Sequence, residues 1–136
     1  MATWDDVQRI ALRLPEAEEV PLRERRSWRV RGKLFVWERP LRQSDLRALG
    51  DDAPTGPILG ARVVHLGAKE ALIADDPEVY FTIPHFDGYS AVLARLEMIP
   101  LDELEELIVE AWLCRAPKRL AGEYIETQPR LHRESS

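Results

Sequence analysis

The segment from Ser27 to Glu38 constrains this chain more than any other. From Ser27 to Arg31 apolar and polar residues alternate, placing Trp28 and Val30 on one face and Ser27, Arg29 and Arg31 on the other. Arg31-Gly32-Lys33 is a short turn in which Gly32 supplies the positive φ of a tight hairpin. Leu34 to Glu38 returns as a mostly apolar strand. A hairpin of this kind commits the chain to antiparallel pairing, and its apolar face needs a helical cover.

The flanking segments supply both. Thr3 caps a helix with Asp6 three residues on, and Trp4, Val7, Ile10, Ala11 and Leu14 recur at helical spacing until Pro15 ends it. Residues 40–57 carry Pro40, Gly50, Asp51, Asp52, Pro54, Gly56 and Pro57 and read as a mobile or poorly ordered flap. Residues 62–66 read as a third strand, 68–74 as a short helix, and 79–83 and 91–96 as two strands around a turn at Pro84–Tyr89. Asp102 and Glu105 read as a capping pair. Leu104, Leu107, Ile108, Ala111 and Trp112 form the apolar stripe of the longest helix, which Pro117 interrupts. The order is α-β-β-β-α-β-β-α, an α+β antiparallel sheet with helices packed on one face. Residues 1–125 form one domain, and 126–136 a polar, flexible tail.

With 45% apolar and 32% charged residues, 136 residues suffice for a core under a charged surface. The lone cysteine, Cys114, can neither close an internal disulfide nor join four zinc ligands. The acidic amino terminus is unlike a signal peptide, and no apolar run approaches the ~20 residues of a membrane helix. The cytoplasm, with no membrane partner, is the expected compartment.

Net charge is −5, which argues weakly against a nucleic-acid partner. The distribution is uneven. Between Val20 and Arg47 nine cations face three carboxylates, a local excess of +6, whereas 102–110 holds Asp102, Glu103, Glu105, Glu106 and Glu110.

Five stretches in register resemble the MmcQ/YjbR family: Ile10–Ala17 (IALRLPEA), Trp28–Phe35 (WRVRGKLF), Tyr80–Tyr89 (YFTIPHFDGY), Glu110-Ala111-Trp112, and Ala116–Leu120 (APKRL). The resemblance implies an α-β3-α-β2-α fold similar to that of secretion chaperones, and DNA binding through a double-wing shape. It brings no catalytic set. The segment Arg23-Glu24-Arg25-Arg26 is more basic than the family's usual sequence there.

The leading candidate site is the arginine hairpin, where Arg25, Arg29, Arg31 and Lys33 would offer guanidinium forks to phosphates, joined by Lys118 and Arg119 if the fold brings them near. The competing explanation is a solvated face already paired with carboxylates. Three phosphate contacts give a salt slope of about −2.7, a loss of roughly 40-fold between 50 and 200 mM salt, so DNA binding would be weak and phosphate-mediated. His85 and Asp87 are a possible ligand site or general base, against a plain hairpin turn in which Gly88 takes positive φ. Cys114 is expected to be an inert buried thiol despite Arg115, Lys118 and Arg119 nearby. The acidic run reads as a solvated helix face. A protein-interaction module using the sheet face, the acidic helix or the 40–57 loop is the alternative function. No P-loop, nucleophile elbow, dinucleotide fingerprint or metal motif is present, so no enzyme activity, cofactor or metal is expected.

Overall fold

A computed structural model describes residues 2–127. The chain runs α1 (Trp4–Leu12), β1 (Ala17–Glu19), β2 (Ser27–Val30), β3 (Lys33–Glu38), α2 (Gln43–Leu49), β4 (Ile58–Arg62), α3 (Leu66–Asp75), β5 (Tyr80–Phe81), β6 (Ala91–Arg95), α4 (Leu101–Arg115) and α5 (Lys118–Thr127). Single 3-10 turns occupy Gly50–Asp52 and Pro84–Phe86. The strands form one antiparallel sheet in the order β1-β2-β3-β4-β6-β5. The α+β architecture is the expected one, with one strand and two helices more than the order α-β-β-β-α-β-β-α. No helix among the described residues is long and apolar enough to cross a membrane.

Strand alternation divides the sheet into two faces. On one, Leu59 lies opposite Ala94 and Ala61 opposite Val92. With Trp28, Val30, Phe35 and Val36 they meet Val7, Ile10 and Ala11 of α1 and Leu104, Ile108, Ala111 and Trp112 of α4 in the main core. Adjacent Phe35 and Val36 are both buried there because the β2–β3 register shifts between Trp28 and Arg29, a bulge. The predicted capping box of α1 is present, with Thr3 accepting from the Asp6 N–H and Asp6 accepting from the Thr3 N–H.

The opposite face carries Trp37, Ile58, Ile83, Phe86 and Leu93. Trp37 lies opposite Gly60, and a β-carbon on Gly60 would collide with the indole. Glycine inside β4 is therefore a packing requirement, and it is also what obscures that strand in the sequence.

Several segment boundaries differ from the predictions. The 40–57 connection is not a bare flap: it contains α2, whose Leu49 packs on the second cluster. Asp45 accepts from the Arg42 N–H at 2.9 Å and holds buried Arg39 at 3.1 Å, with the Arg39 guanidinium over the Phe86 ring. The third strand lies at Ile58–Arg62, not 62–66, and His65 caps α3 by accepting from the Ala68 N–H at 3.0 Å. Pro100 precedes α4, so Asp102 and Glu105 form no capping pair. Helix α5 reaches Thr127. The rest of the predicted tail lies outside the described residues.

Candidate functional site

The arginine ribbon is built from three strands rather than two. Strand β1, absent from the prediction, pairs with β2 through a hairpin closed at Leu22 and Arg25, with Arg23 and Glu24 at positive φ in the turn. That pairing sets Glu18 opposite Arg29 and brings Glu19 beside Arg26, which donates from Nε and Nη2 at 2.9 and 3.1 Å. Arg31 donates from Nε and Nη2 to Glu16, and Arg25 lies 4.0 Å from Glu38. Arg26 and Arg31 hold the Glu19 and Glu16 carboxyls below their ordinary 4.5.

The arginine hairpin is therefore partly paired with carboxylates. Arg31 sits in the β2–β3 turn at φ 50°, off the strand face that holds Arg29. Arg29 donates to the Gly32 carbonyl at 3.1 Å. Residues 16–38 hold six cations and five carboxylates, a net +1, well below the +6 counted over residues 20–47. Among the described residues no carboxylate lies within ion-pair distance of Arg23, Arg29 or Lys33. Lys118 and Arg119 do not join them. They open α5, which packs through Tyr124 on Trp112 and makes no substantial contact with β2 or β3, and Arg119 lies 3.6 Å from Glu123.

The Pro84–Tyr89 turn has a local explanation. Buried Lys69 of α3 donates from Nζ to the carbonyls of Phe86 (2.7 Å) and Tyr89 (3.1 Å), while the Phe86 and Tyr89 rings stack and Gly88 takes φ 74°. Burial pushes the Lys69 ammonium below its ordinary 10.5, with Asp87 acting in the opposite sense. His85 and Asp87 are exposed, His85 with its ring edge-on to Phe86. Neither lines the cleft around Arg62 and Glu106 or the one around Leu49 and Arg95. Cys114 is half-buried, and burial, aided by Glu110, pushes its thiol up, away from a reactive thiolate. Among the described residues no group of three His, Cys, Asp or Glu is placed to hold a metal ion.

A different site emerges on the helical face. Helix α4 lies on β3 and β4, α3 rests on β5 and β6, and a cleft of ≈ 500 Å³ separates them. Its apolar surface comes from Val63, Val64, Ala68, Ala71, Leu72 and Leu107. Its polar surface is almost entirely acidic: Asp75 and Asp76 at the end of α3, and Glu103, Glu106 and Glu110 along α4, with Arg62 the single cation. None of these five carboxylates is in an ion pair among the described residues. Buried Tyr80 points its hydroxyl at Glu103, 3.4 Å away, and burial first, then Glu103, drives the phenol well above its ordinary range. It stays a neutral hydrogen-bond donor at any physiological pH. The acidic run was visible in the sequence, but nothing there signals that α3 stands across a gap from it.

The profile of the YjbR family matches residues 12–114, from the end of α1 to the last turn of α4. Uncharacterized proteins of Mycobacterium tuberculosis (Rv2570) and Mycobacterium bovis (Mb2600) are each 57% identical over 129 residues, covering 92% of this chain and 97% of theirs. The crystal structure of Deinococcus radiodurans protein DR2400, whose domain is described as DUF419, superposes with a TM-score of 0.62 at 20% identity, over 83% of this chain and 78% of that one, and so bears on the fold alone. By the extent of the profile match, from Leu12 to Cys114, this chain belongs to the YjbR family.

Proposed function

We propose that this protein is a non-catalytic binding module whose recognition site is the cleft between α3 and α4, and that the partner bears positive charge on an apolar body. The observation that carries this reading is the company of five carboxylates, none in an ion pair among the described residues, around an apolar concavity. An isolated acidic helix face is satisfied by water. Acids on two helices around a shared apolar floor present both a desolvating surface and a field predominantly of one sign. A site of this volume and lining suits a ligand that buries apolar area and places a cation near Glu103, Glu106 or Glu110. The chemistry counts against a reactive role: the one thiol is raised and the Tyr80 phenol is held neutral.

Nucleic-acid binding, which the family resemblance implies, is the second reading. Its support is narrow but specific: Arg23, Arg29 and Lys33 have no carboxylate partner among the described residues. A patch of net +1 would hold DNA weakly and release it at moderate salt.

One titration separates the two. Backbone amide NMR shifts are followed while 2-phenylethylammonium, then duplex DNA, is added at 50 and 150 mM salt. The cleft reading expects shifts from the amine confined to residues 63–76, 80 and 103–110. Shifts from DNA centred on 23–33, with none from the amine, would replace it with the second reading.

A further inference from the structure

The cleft is a groove between two helices, and its lining points to its occupant. We infer that the α3–α4 cleft receives one amphipathic helix from a partner protein, with an aliphatic stripe facing the floor and Lys or Arg on both flanks. This deepens the cleft reading above and rests on it.

The argument begins with the walls. Helix α4 contributes Glu103, Glu106, Leu107 and Glu110, and α3 contributes Ala68, Ala71, Leu72 and Asp75. Each set has the spacing i, i+3, i+4, i+7, one face of an α-helix. Seven residues at 1.5 Å rise make each wall about 10 Å long, two turns of helix. Two of the four α3 residues in the wall are alanines, Ala68 and Ala71, and small residues let a third helix approach closely. The sheet beneath already carries helices on β3–β4 and on β5–β6. A guest helix would lie in the groove above Leu72 and Leu107, since β4 and β6 beneath are already buried.

Charge then sets the guest's composition. Carboxylates stand on both walls, with Asp75 and Asp76 on one side and Glu103, Glu106 and Glu110 on the other. A guest must therefore carry cations on both edges of its apolar stripe, which is the pattern of a basic amphipathic helix laid in a groove. A compact amine could satisfy only one wall at a time. Val64, 67% exposed at one end of the cleft, offers further apolar contact to a guest longer than the walls.

The test uses the full chain and a synthetic peptide. A fluorescein-labelled 18-residue peptide, with leucines at i, i+3, i+4 and i+7 and lysines on the flanks, is titrated by anisotropy. Two controls accompany it: a scrambled peptide of the same composition, and one with glutamate in place of lysine. Micromolar binding of the first peptide is expected, with at least about tenfold weaker binding of both controls. Ala71→Trp, which fills the exposed wall, should weaken binding about tenfold or more. Glu106→Gln with Glu110→Gln should weaken it about fivefold and reduce its salt dependence. Circular dichroism confirms that both variants are folded. Equal binding of the scrambled peptide, or an unchanged affinity in Ala71→Trp, would overturn the helix inference. If 2-phenylethylammonium shifts the cleft amides while no peptide binds, the helix inference fails and the cleft reading stands. If neither binds, both fail.

Discussion

The β1–β3 ribbon and the α3–α4 cleft are both rich in charged groups yet arrange them oppositely. In the ribbon, opposite charges interleave: Glu16, Glu19 and Glu38 take Arg31, Arg26 and Arg25, and the strand edge that looks cationic in the sequence is close to neutral. In the cleft, five carboxylates share one concavity with a single arginine and no ion pair among the described residues. A dense run of one sign along the chain thus says little about a surface until its neighbours across the sheet or the helix layer are known. In the ribbon opposite charges meet, and in the cleft like charges face one another.

The largest expected effect tests which region carries the fold. Trp28 is fully buried on the inner face of the ribbon, stacked with Trp4 at 6.3 Å. Trp28→Ala should cost about 4 kcal/mol in urea unfolding. Leu72→Ala, beside an existing void in the cleft wall, should cost only about 1 kcal/mol. Equal losses would mean that the cleft is as tightly packed as the core and not preformed for a guest.

The second prediction liberates the ribbon. Glu16→Gln with Glu19→Gln raises residues 16–38 from +1 to +3. Heparin and duplex DNA should then be held about tenfold more tightly at low salt, with a slope steeper by roughly 2. An unchanged affinity would show that the ribbon is inert to polyanions even when uncovered.

A smaller effect lies in acid. Arg26 lowers the Glu19 carboxyl below 4.5 in the folded protein. A depressed folded pKa contributes stability that is present above the unfolded value and lost as pH falls through the folded one. Wild type should therefore lose this contribution, below about 1 kcal/mol for so exposed a pair, on titration downward from pH 4.5. Glu19→Gln should flatten the stability profile in that window, as urea midpoints between pH 3 and 6 would reveal.

The smallest effect concerns salt. Glu103, Glu106 and Glu110 repel along one face of α4, so Glu106→Gln should stabilise by a few tenths of a kcal/mol at low ionic strength, and added NaCl should erase the gain. Thermal melts at 10 and 300 mM NaCl measure it. The same salt should weaken the ribbon's ion pairs, and a matching response in both regions would remove the distinction between them.

Elements with strong periodicity were legible from the residues alone. Helix α1 has its capping box, β2 and β3 their alternation around Gly32, and α4 its apolar stripe. Elements that depend on a partner were not. Strand β1 is Ala-Glu-Glu, without β-branched or aromatic residues, and it is a strand because its backbone pairs with β2. Helix α2 spans seven residues with no clear apolar period, and it is held by the buried Arg39–Asp45 pair. Of the candidate residues, Arg25, Arg29, Arg31 and Lys33 were found on one ribbon as expected. The carboxylate partners of Arg25 and Arg31 lie up to fifteen residues away in sequence, beyond the reach of any local pattern.

The order of amino acids determined, without coordinates, the antiparallel α+β class, the family, the first hairpin and the acidic stripe of the longest helix. These follow from residue spacing along the chain, and backbone geometry converts that spacing directly into faces. The tertiary structure alone decided which charges meet. Electrostatic attraction depends on distance through space, and folding placed Glu16 and Glu19 beside the arginines while leaving the carboxylates of α3 and α4 around a gap with Arg62 the one cation in its lining among the described residues.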